Sequence, residues 1–179
     1  MLNTDQIYQI TDIPGYSPEV GRLLSMMNYA RHTTLQAVEG LQRQQLDHLL
    51  DPKSNSIGML LLHFAAVEYA YQVGTFEGRE LSEGEIDKWG PALKLGAEGR
   101  EHIQGHDLAY YLSVLSEVRN RSFELFQTVD DEWLHVEEPF WNNKSTNRYF
   151  MWFHVLEDEI NHRGQIRWIR KRVGEEERP

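Results

Sequence analysis

Three side chains in the segment HVLEDEINHRGQI, residues 154–166, could bind a metal ion: His154, Asp158 and His162. They are four residues apart, and side chains at that spacing lie about one turn apart on the same face of a helix. An aspartate and a histidine at positions i and i+4 can hold one ion between them, which favours Asp158 and His162 as ligands. The same pair also occurs as an ordinary surface hydrogen bond, so the spacing predicts either part of a metal site or a solvated polar stripe.

His154 is the least natural ligand of the three. Each helical residue advances by about 100°, so two turns rotate His154 by about 80° from His162. We therefore expect His154 either to replace Asp158 as a ligand or to lie outside the site. Glu157 and Glu159 point elsewhere on the helix, and we expect them to be solvated unless one of them supports the ligands.

His63 is the other informative residue, because it lies in the middle of the apolar stretch IGMLLLHFAAVEYAYQV, residues 57–73. A buried imidazole loses its hydration and needs a partner for each ring nitrogen. The residue is therefore either a core histidine bonded to a backbone carbonyl or a tyrosine, or a metal ligand. Glu68 lies about 140° further round the same helix, and we expect it to pair with an arginine of another helix.

Helix signals dominate the chain and would position these residues. Ser17 before Pro18 predicts a capped helix start, and Ser56 and Asp107 are predicted to cap two further helices. A last helix is predicted to begin at Ser145 or Thr146 and to stop at Gly174. The four predicted helices span roughly 17–39, 57–73, 108–128 and 146–173.

One long connection, between the second and third helices, separates these four elements. This pattern predicts an all-α fold: a four-helix bundle of the up-down-down-up type, forming a single domain over residues 1–179. The long connection is expected to show little periodicity and to include a short helical piece. No alternating strand pattern is present, and DDEWLHVEEPFWNNKS reads as irregular.

Composition excludes several classes of protein. The chain has no cysteine, so any metal must be held by imidazole and carboxylate groups. The net charge of −10 disfavours nucleic-acid binding. No stretch reaches the roughly 18 apolar residues of a membrane span, and no secretory leader is evident, so we expect a cytoplasmic protein that does not bind membranes. No nucleophile elbow or phosphate-binding glycine loop is present.

Taken together, SIGMLLLHFAAVE and HVLEDEINHRGQI resemble the DinB/YfiT-like superfamily of four-helix-bundle proteins. The similarity begins at RLLSMMNYARHTTLQAVEGL and covers most of the chain, and the HRGQI ending is its most specific part. In this family one histidine of the second helix and two residues of the fourth bind a divalent metal. The resemblance implies His63, Asp158 and His162 as ligands, with Asp158 where many members have histidine.

The resemblance also implies a cofactor and an activity. Zinc or nickel is the expected metal, and the carboxylate ligand makes iron or manganese further candidates. Some relatives are transferases that use a low-molecular-weight thiol such as bacillithiol or mycothiol, so we expect such a transferase or a related hydrolase acting on a small-molecule substrate, and a homodimer. The alternative is a non-enzymatic dimeric bundle that has lost or repurposed the metal site.

Overall fold

The structure, a computed structural model, describes residues 6–140 and 144–176. Its helices, numbered in chain order, are α1 (Pro18–Val38), α2 (Arg43–Asp47), α3 (Ile57–Gln72), α4 (Glu83–Lys94), α5 (Gly96–His102), α6 (Leu108–Phe126), α7 (Asp131–Leu134) and α8 (Arg148–Glu176). A π-helical turn, Val73–Glu77, continues α3. Two short antiparallel strands, β1 (Glu137–Phe140) and β2 (Lys144–Asn147), form a hairpin.

The prediction of a mostly helical protein is confirmed. The four longest helices are α1, α3, α6 and α8, with 21, 16, 19 and 29 residues. α3 packs against both α6 and α8, and α1 packs against α8. Within residues 6–140 and 144–176, no helix is both long and apolar enough to cross a membrane.

Two of the three predicted caps of the first helices are confirmed. The Ser56 hydroxyl accepts from the backbone N–H of Met59 at 3.2 Å, and the Asp107 carboxylate accepts from that of Tyr110 at 2.9 Å. Both caps depend only on residues three positions apart, which is why the local sequence reveals them.

α1 starts after Ser17 as predicted, but the predicted side-chain cap is wrong. Ser17 makes no capping bond and instead donates to Oδ1 of Asp131 at 2.6 Å. That same oxygen accepts from the backbone N–H groups of Glu19 and Val20 at 2.9 and 3.1 Å. A carboxylate is the stronger acceptor at the positive end of a helix, and here it comes from α7, far away in the sequence.

The segment before α8 departs from the prediction of irregular structure. It contains α7 and the hairpin, in which Pro139 pairs with Ser145. α8 therefore begins at Arg148 and not at Ser145 or Thr146, and Asn147 accepts from the backbone N–H of Phe150 at 2.9 Å. α8 also continues past Gly174 to Glu176. The long connection between α3 and α6 holds two helices, α4 and α5.

Two apolar clusters fill the core. The first core cluster centres on α3, and its fully buried members are Val38, Leu46, Ile57, Leu60, Leu61, Ala65, Ala66, Tyr111 and Ile166. The second core cluster joins α1 to the end of α6, to α7 and to the start of α8, and its fully buried members are Val20, Leu23, Leu24, Ala30, Phe126, Leu134 and Trp152. α3 and α8 pass through both clusters, so their packing determines where their polar residues meet.

Candidate metal centre

His63 is held in one orientation by the end of α4. The residue is buried in α3, and its Nδ1 lies 2.7 Å from the backbone carbonyl of Ala92. A carbonyl only accepts hydrogen bonds, so Nδ1 carries a proton, and in the neutral imidazole Nε2 presents a lone pair. Ala92 lies in the last turn of α4, where carbonyls have no partner within the helix and are free to accept from elsewhere.

Asp158 and His162 approach His63 from α8. Nε2 of His63 lies 3.4 Å from Oδ2 of Asp158, and Nε2 of His162 lies 3.4 Å from Oδ1 of the same carboxylate. The two imidazole rings stand nearly perpendicular, with their centres 5.0 Å apart. One potential ligand atom from each residue lies within 4.8 Å of the others. Ligand atoms around one tetrahedral zinc ion are about 3.4 Å apart, so a small closure would complete such a site.

Two polar atoms of this cluster lack a hydrogen-bond partner. Among the described residues, neither Oδ2 of Asp158 nor Nδ1 of His162 has one, although both atoms are buried. The 3.4 Å approach of His63 to Oδ2 is longer than a good hydrogen bond, and in the neutral imidazole it brings a lone pair of nitrogen against a carboxylate oxygen. Two such atoms facing each other require a cation between them, either a proton or a metal ion.

The charge balance of the cluster also favours a cation. Burial alone would raise the pKa of Asp158, but the close contacts with the imidazoles of His162 and His63 outweigh burial and hold that pKa well below its usual range. The contact with the Asp158 carboxylate, which accepts from His162, raises the pKa of His162 against the effect of burial. Asp158 is therefore ionised at neutral pH. The three side chains are between 11% and 19% exposed, so the cluster reaches solvent on one side.

His154 lies outside this cluster, on the same face of α8 one turn before Asp158. Its Nδ1 is 3.3 Å from Glu157, and its ring centre is 6.2 Å from that of Tyr71. Burial, with a smaller contribution from the charge of Asp158, raises the pKa of Tyr71. Of the two alternatives for His154, the structure favours a position outside the group and brings Asp158 to His63.

The prediction that Glu159 is solvated is wrong. Glu159 is only 3% exposed and pairs with Arg31 at 2.9 Å. The predicted pairing of Glu68 with an arginine of another helix is confirmed, since Glu68 binds Arg119 of α6 at 2.6 Å. Sequence reasoning missed both arginines because each lies on a helix that carries none of the candidate ligands.

Fold and site together define a helical protein in which two histidines and one carboxylate, from two helices, converge on a point open to solvent. A family model described as mycothiol-S-transferase matches residues 22–174, and the chain belongs to this family. The family is part of the DinB/YfiT-like thiol transferase group, which confirms the resemblance seen in the sequence. The matched region contains His63, Asp158 and His162. No curated protein matches the chain.

Proposed function

We propose that this protein is a metal-dependent transferase that uses a low-molecular-weight thiol, with His63, Asp158 and His162 as the metal ligands. The observation that carries the proposal is the geometry in which Nε2 of His63 faces a carboxylate oxygen of Asp158 at 3.4 Å, while Nδ1 of His63 is bonded to the carbonyl of Ala92. Zinc or nickel suits two imidazoles and one carboxylate, and iron or manganese are the alternatives. Membership of the mycothiol-S-transferase family supports a thiol as the second component.

The residues divide the chemistry as follows. A divalent ion, when bound, supplies a positive charge that lowers the pKa of a thiol at an open coordination position. Three protein ligands leave such a position free. The chain has no cysteine of its own, so the thiol that attacks a small electrophilic substrate comes from the cofactor. Water in place of the thiol would give the related hydrolase.

We assign Tyr71 and His154 to the substrate side of the cluster, because His154 lies one turn before Asp158 on α8 and its ring centre is 6.2 Å from that of Tyr71. Because its pKa is raised, Tyr71 keeps its proton at neutral pH and can donate a hydrogen bond to an electron-rich group of a substrate. His154 is about one-fifth exposed, and its imidazole offers hydrogen-bonding nitrogens to a substrate.

The first experiment is a metal analysis by elemental mass spectrometry of the untagged protein, before and after chelation. We expect about one equivalent of zinc, nickel, iron or manganese, and its loss in His63→Ala and His162→Ala. His154→Ala is the matched control, because it removes an imidazole from the same helix face and should keep the metal. A wild-type protein that is metal-free and takes up neither zinc nor nickel on titration would overturn the proposal.

Thiol transfer is the second test. The metal-loaded protein is incubated with mycothiol or bacillithiol and a chromogenic electrophile. Conjugate should form faster than with His162→Ala under the same conditions. Equal rates for wild type and His162→Ala would mean that the protein does not have the proposed transferase activity, even if it binds a metal. Such an enzyme belongs in the cytoplasm, where small thiols stay reduced.

The assembly we infer is a homodimer of up-down-down-up bundles formed by α1, α3, α6 and α8. The outward face of α8 supports an interface, since it exposes four large apolar side chains, each between 40% and 53% accessible: Phe150, Phe153, Ile160 and Trp168. The same surface is what favours the second candidate function, a non-enzymatic dimeric bundle. Sedimentation equilibrium distinguishes a dimer from a monomer of 21.0 kDa.

A further inference from the structure

Four buried charged residues, one from each of the long helices, form a layer across the core: Arg31 of α1, Glu68 of α3, Arg119 of α6 and Glu159 of α8. None of them is more than 8% exposed. We call this group the ionic layer. It contains two positive and two negative charges, so it is neutral as a whole.

Arg31 and Arg119 make equivalent contacts with the two carboxylates. Nε and Nη2 of Arg31 donate to the two carboxylate oxygens of Glu159 at 2.9 and 3.1 Å, and Nη2 also lies 3.2 Å from Glu68. Nε and Nη2 of Arg119 donate to Glu68 at 2.6 and 3.1 Å, and Nη2 also lies 3.5 Å from Glu159. Each guanidinium therefore binds one carboxylate through two hydrogen bonds and also contacts the other carboxylate. As a result, both arginines connect α3 to α8.

The remaining arginine donors reach across to the backbone of α1 and α6. Nη1 of Arg31 donates to the carbonyl of Leu115 at 3.1 Å, and Nη1 of Arg119 donates to the carbonyl of Met27 at 3.0 Å. Ser122 adds a further bond to Glu68 at 2.7 Å. The planar guanidinium group donates these bonds only within a narrow range of directions, so the layer fixes the positions of the four helices along their axes.

The ionic layer lies where the two core clusters meet. In α1, Arg31 follows Ala30 of the second core cluster and precedes Ala37 of the first. In α8, Glu159 occupies the corresponding position before Ile166. Apolar packing has no directional preference, so neither cluster by itself prevents small shifts of one helix along another. Directional bonds between the clusters supply that restraint.

The layer is close to the candidate metal ligands along both helices. Glu159 directly follows Asp158, and Glu68 lies five residues after His63, which is about 7.5 Å along a helix axis. Buried ion pairs seldom add net stability, and well-packed apolar replacements are often neutral or stabilising. A contribution to stability therefore does not account for the layer, whereas a contribution to geometry does.

We propose that Arg31, Glu68, Arg119 and Glu159 are positioning residues that hold α3 and α8 at the separation required to bring His63 to Asp158 and His162. The consequence for metal binding rests on the proposed function. The helix separation itself does not, and it can be measured without metal.

The test uses spin labels on cysteines introduced at Ala70 of α3 and Asn161 of α8. The chain has no cysteine of its own, so only these two positions are labelled. Double electron–electron resonance then measures the distance between the labels in the metal-free protein. We compare wild type with a variant whose layer is apolar, Arg31→Met, Glu68→Met, Arg119→Met and Glu159→Met. We expect the variant to stay helical with an unfolding midpoint no lower than wild type, and its distance distribution to broaden or shift.

A folded apolar variant with the wild-type distance distribution would overturn the proposal. If the apolar variant does not fold, the double variant Arg31→Lys with Arg119→Lys takes its place. It keeps both positive charges and removes the bidentate contacts with the carboxylates. Here too an unchanged distribution refutes positioning, and a broadened one supports it. The matched control is Arg121→Met with Glu77→Gln, which removes an exposed pair 2.5 Å apart and should leave the distribution unchanged.

Zinc titration of the same variants separates the two proposals. In a folded apolar variant, zinc affinity should fall by roughly 10–100-fold, as for residues that support ligands from outside, and it should not change in the control. Wild-type affinity in the apolar variant would contradict positioning. If wild type itself binds no zinc, the proposed function fails, while the label distances still decide whether the ionic layer sets the helix separation.

Discussion

Glu68→Gln should be among the most destabilising single substitutions in this protein. The Glu68 carboxylate is fully buried and accepts two bonds from Arg119, one from Arg31 and one from Ser122. Glutamine has nearly the same size, so packing is kept. Glutamine carries no charge, however, and its amide N–H group would face an N–H donor of one of the arginines.

The magnitude follows from the charges that remain. After the change, two guanidinium groups share the single carboxylate of Glu159, which leaves one positive charge uncompensated in the core. Breaking a buried ion pair in this way costs about 3–5 kcal/mol. For a chain of this size, 1 kcal/mol corresponds to about 2–4 °C in Tm, so Tm should fall by roughly 6–20 °C.

Urea unfolding and thermal melting of the metal-free protein, followed by circular dichroism, measure this loss. Glu77→Gln is the matched control, since Glu77 pairs with Arg79 and Arg121 at a side-chain exposure of 30% and should contribute about 0–1 kcal/mol. A Glu68→Gln protein within about 1 kcal/mol of wild type, or no less stable than the control, would refute the view that the layer is a tightly coupled buried unit.

Three further outcomes are expected. Gly58→Ala should destabilise by about 1–3 kcal/mol in urea unfolding, because its Cβ would lie 2.5 Å from the hydroxyl oxygen of Tyr111; a neutral result would mean that Tyr111 can move aside. Tyr111→Phe should be neutral or slightly stabilising, since that buried hydroxyl has no partner among the described residues, and a clear loss of stability would reveal a bound water. Asp131→Asn should cost about 1 kcal/mol at pH 7 by weakening the α1 cap. Burial raises the pKa of Asp131, but bonds from Ser17 and from two backbone N–H groups at the start of α1 lower that pKa by more than burial raises it. The stability that ionised Asp131 contributes is therefore present above the ordinary pKa of 3.8 and is lost as pH falls below it. The gap between Asp131→Asn and wild type should therefore close in acid, and a gap that is constant with pH would contradict the cap.

Local sequence signals account for the long helices and for two of their side-chain caps. Ser56 and Asp107 act on residues three positions away, and the length of each helix follows from the recurrence of apolar residues at helical spacing. The end of α8 was underestimated because Gly174 lowers helix propensity without forbidding it. The hairpin was missed because β1, Glu-Glu-Pro-Phe, has no alternating pattern, and its stability comes from pairing with β2.

The candidate site could be predicted only in part. The spacing of Asp158 and His162 predicts their shared face, whereas the addition of His63 depended on the family resemblance, since nothing local shows that α3 meets α8 at that height. Glu159 was expected in solvent because its partner Arg31 is far away in the sequence. The general reason is that a charged residue is read as exposed until its counter-charge is known.

The bond between His63 and the carbonyl of Ala92 has a consequence for how this protein can change over evolutionary time. A main-chain oxygen is common to all amino acids, so substitution at position 92 leaves the acceptor in place and the tautomer of His63 is insensitive to most point mutations there. The length of α4 is a different matter. One residue inserted or deleted within α4 before Ala92 would rotate its last turn by about 100° and withdraw the oxygen from the imidazole. Homologous chains are therefore expected to be more uniform in the number of residues of α4 than in the identity of the residue that supplies the carbonyl.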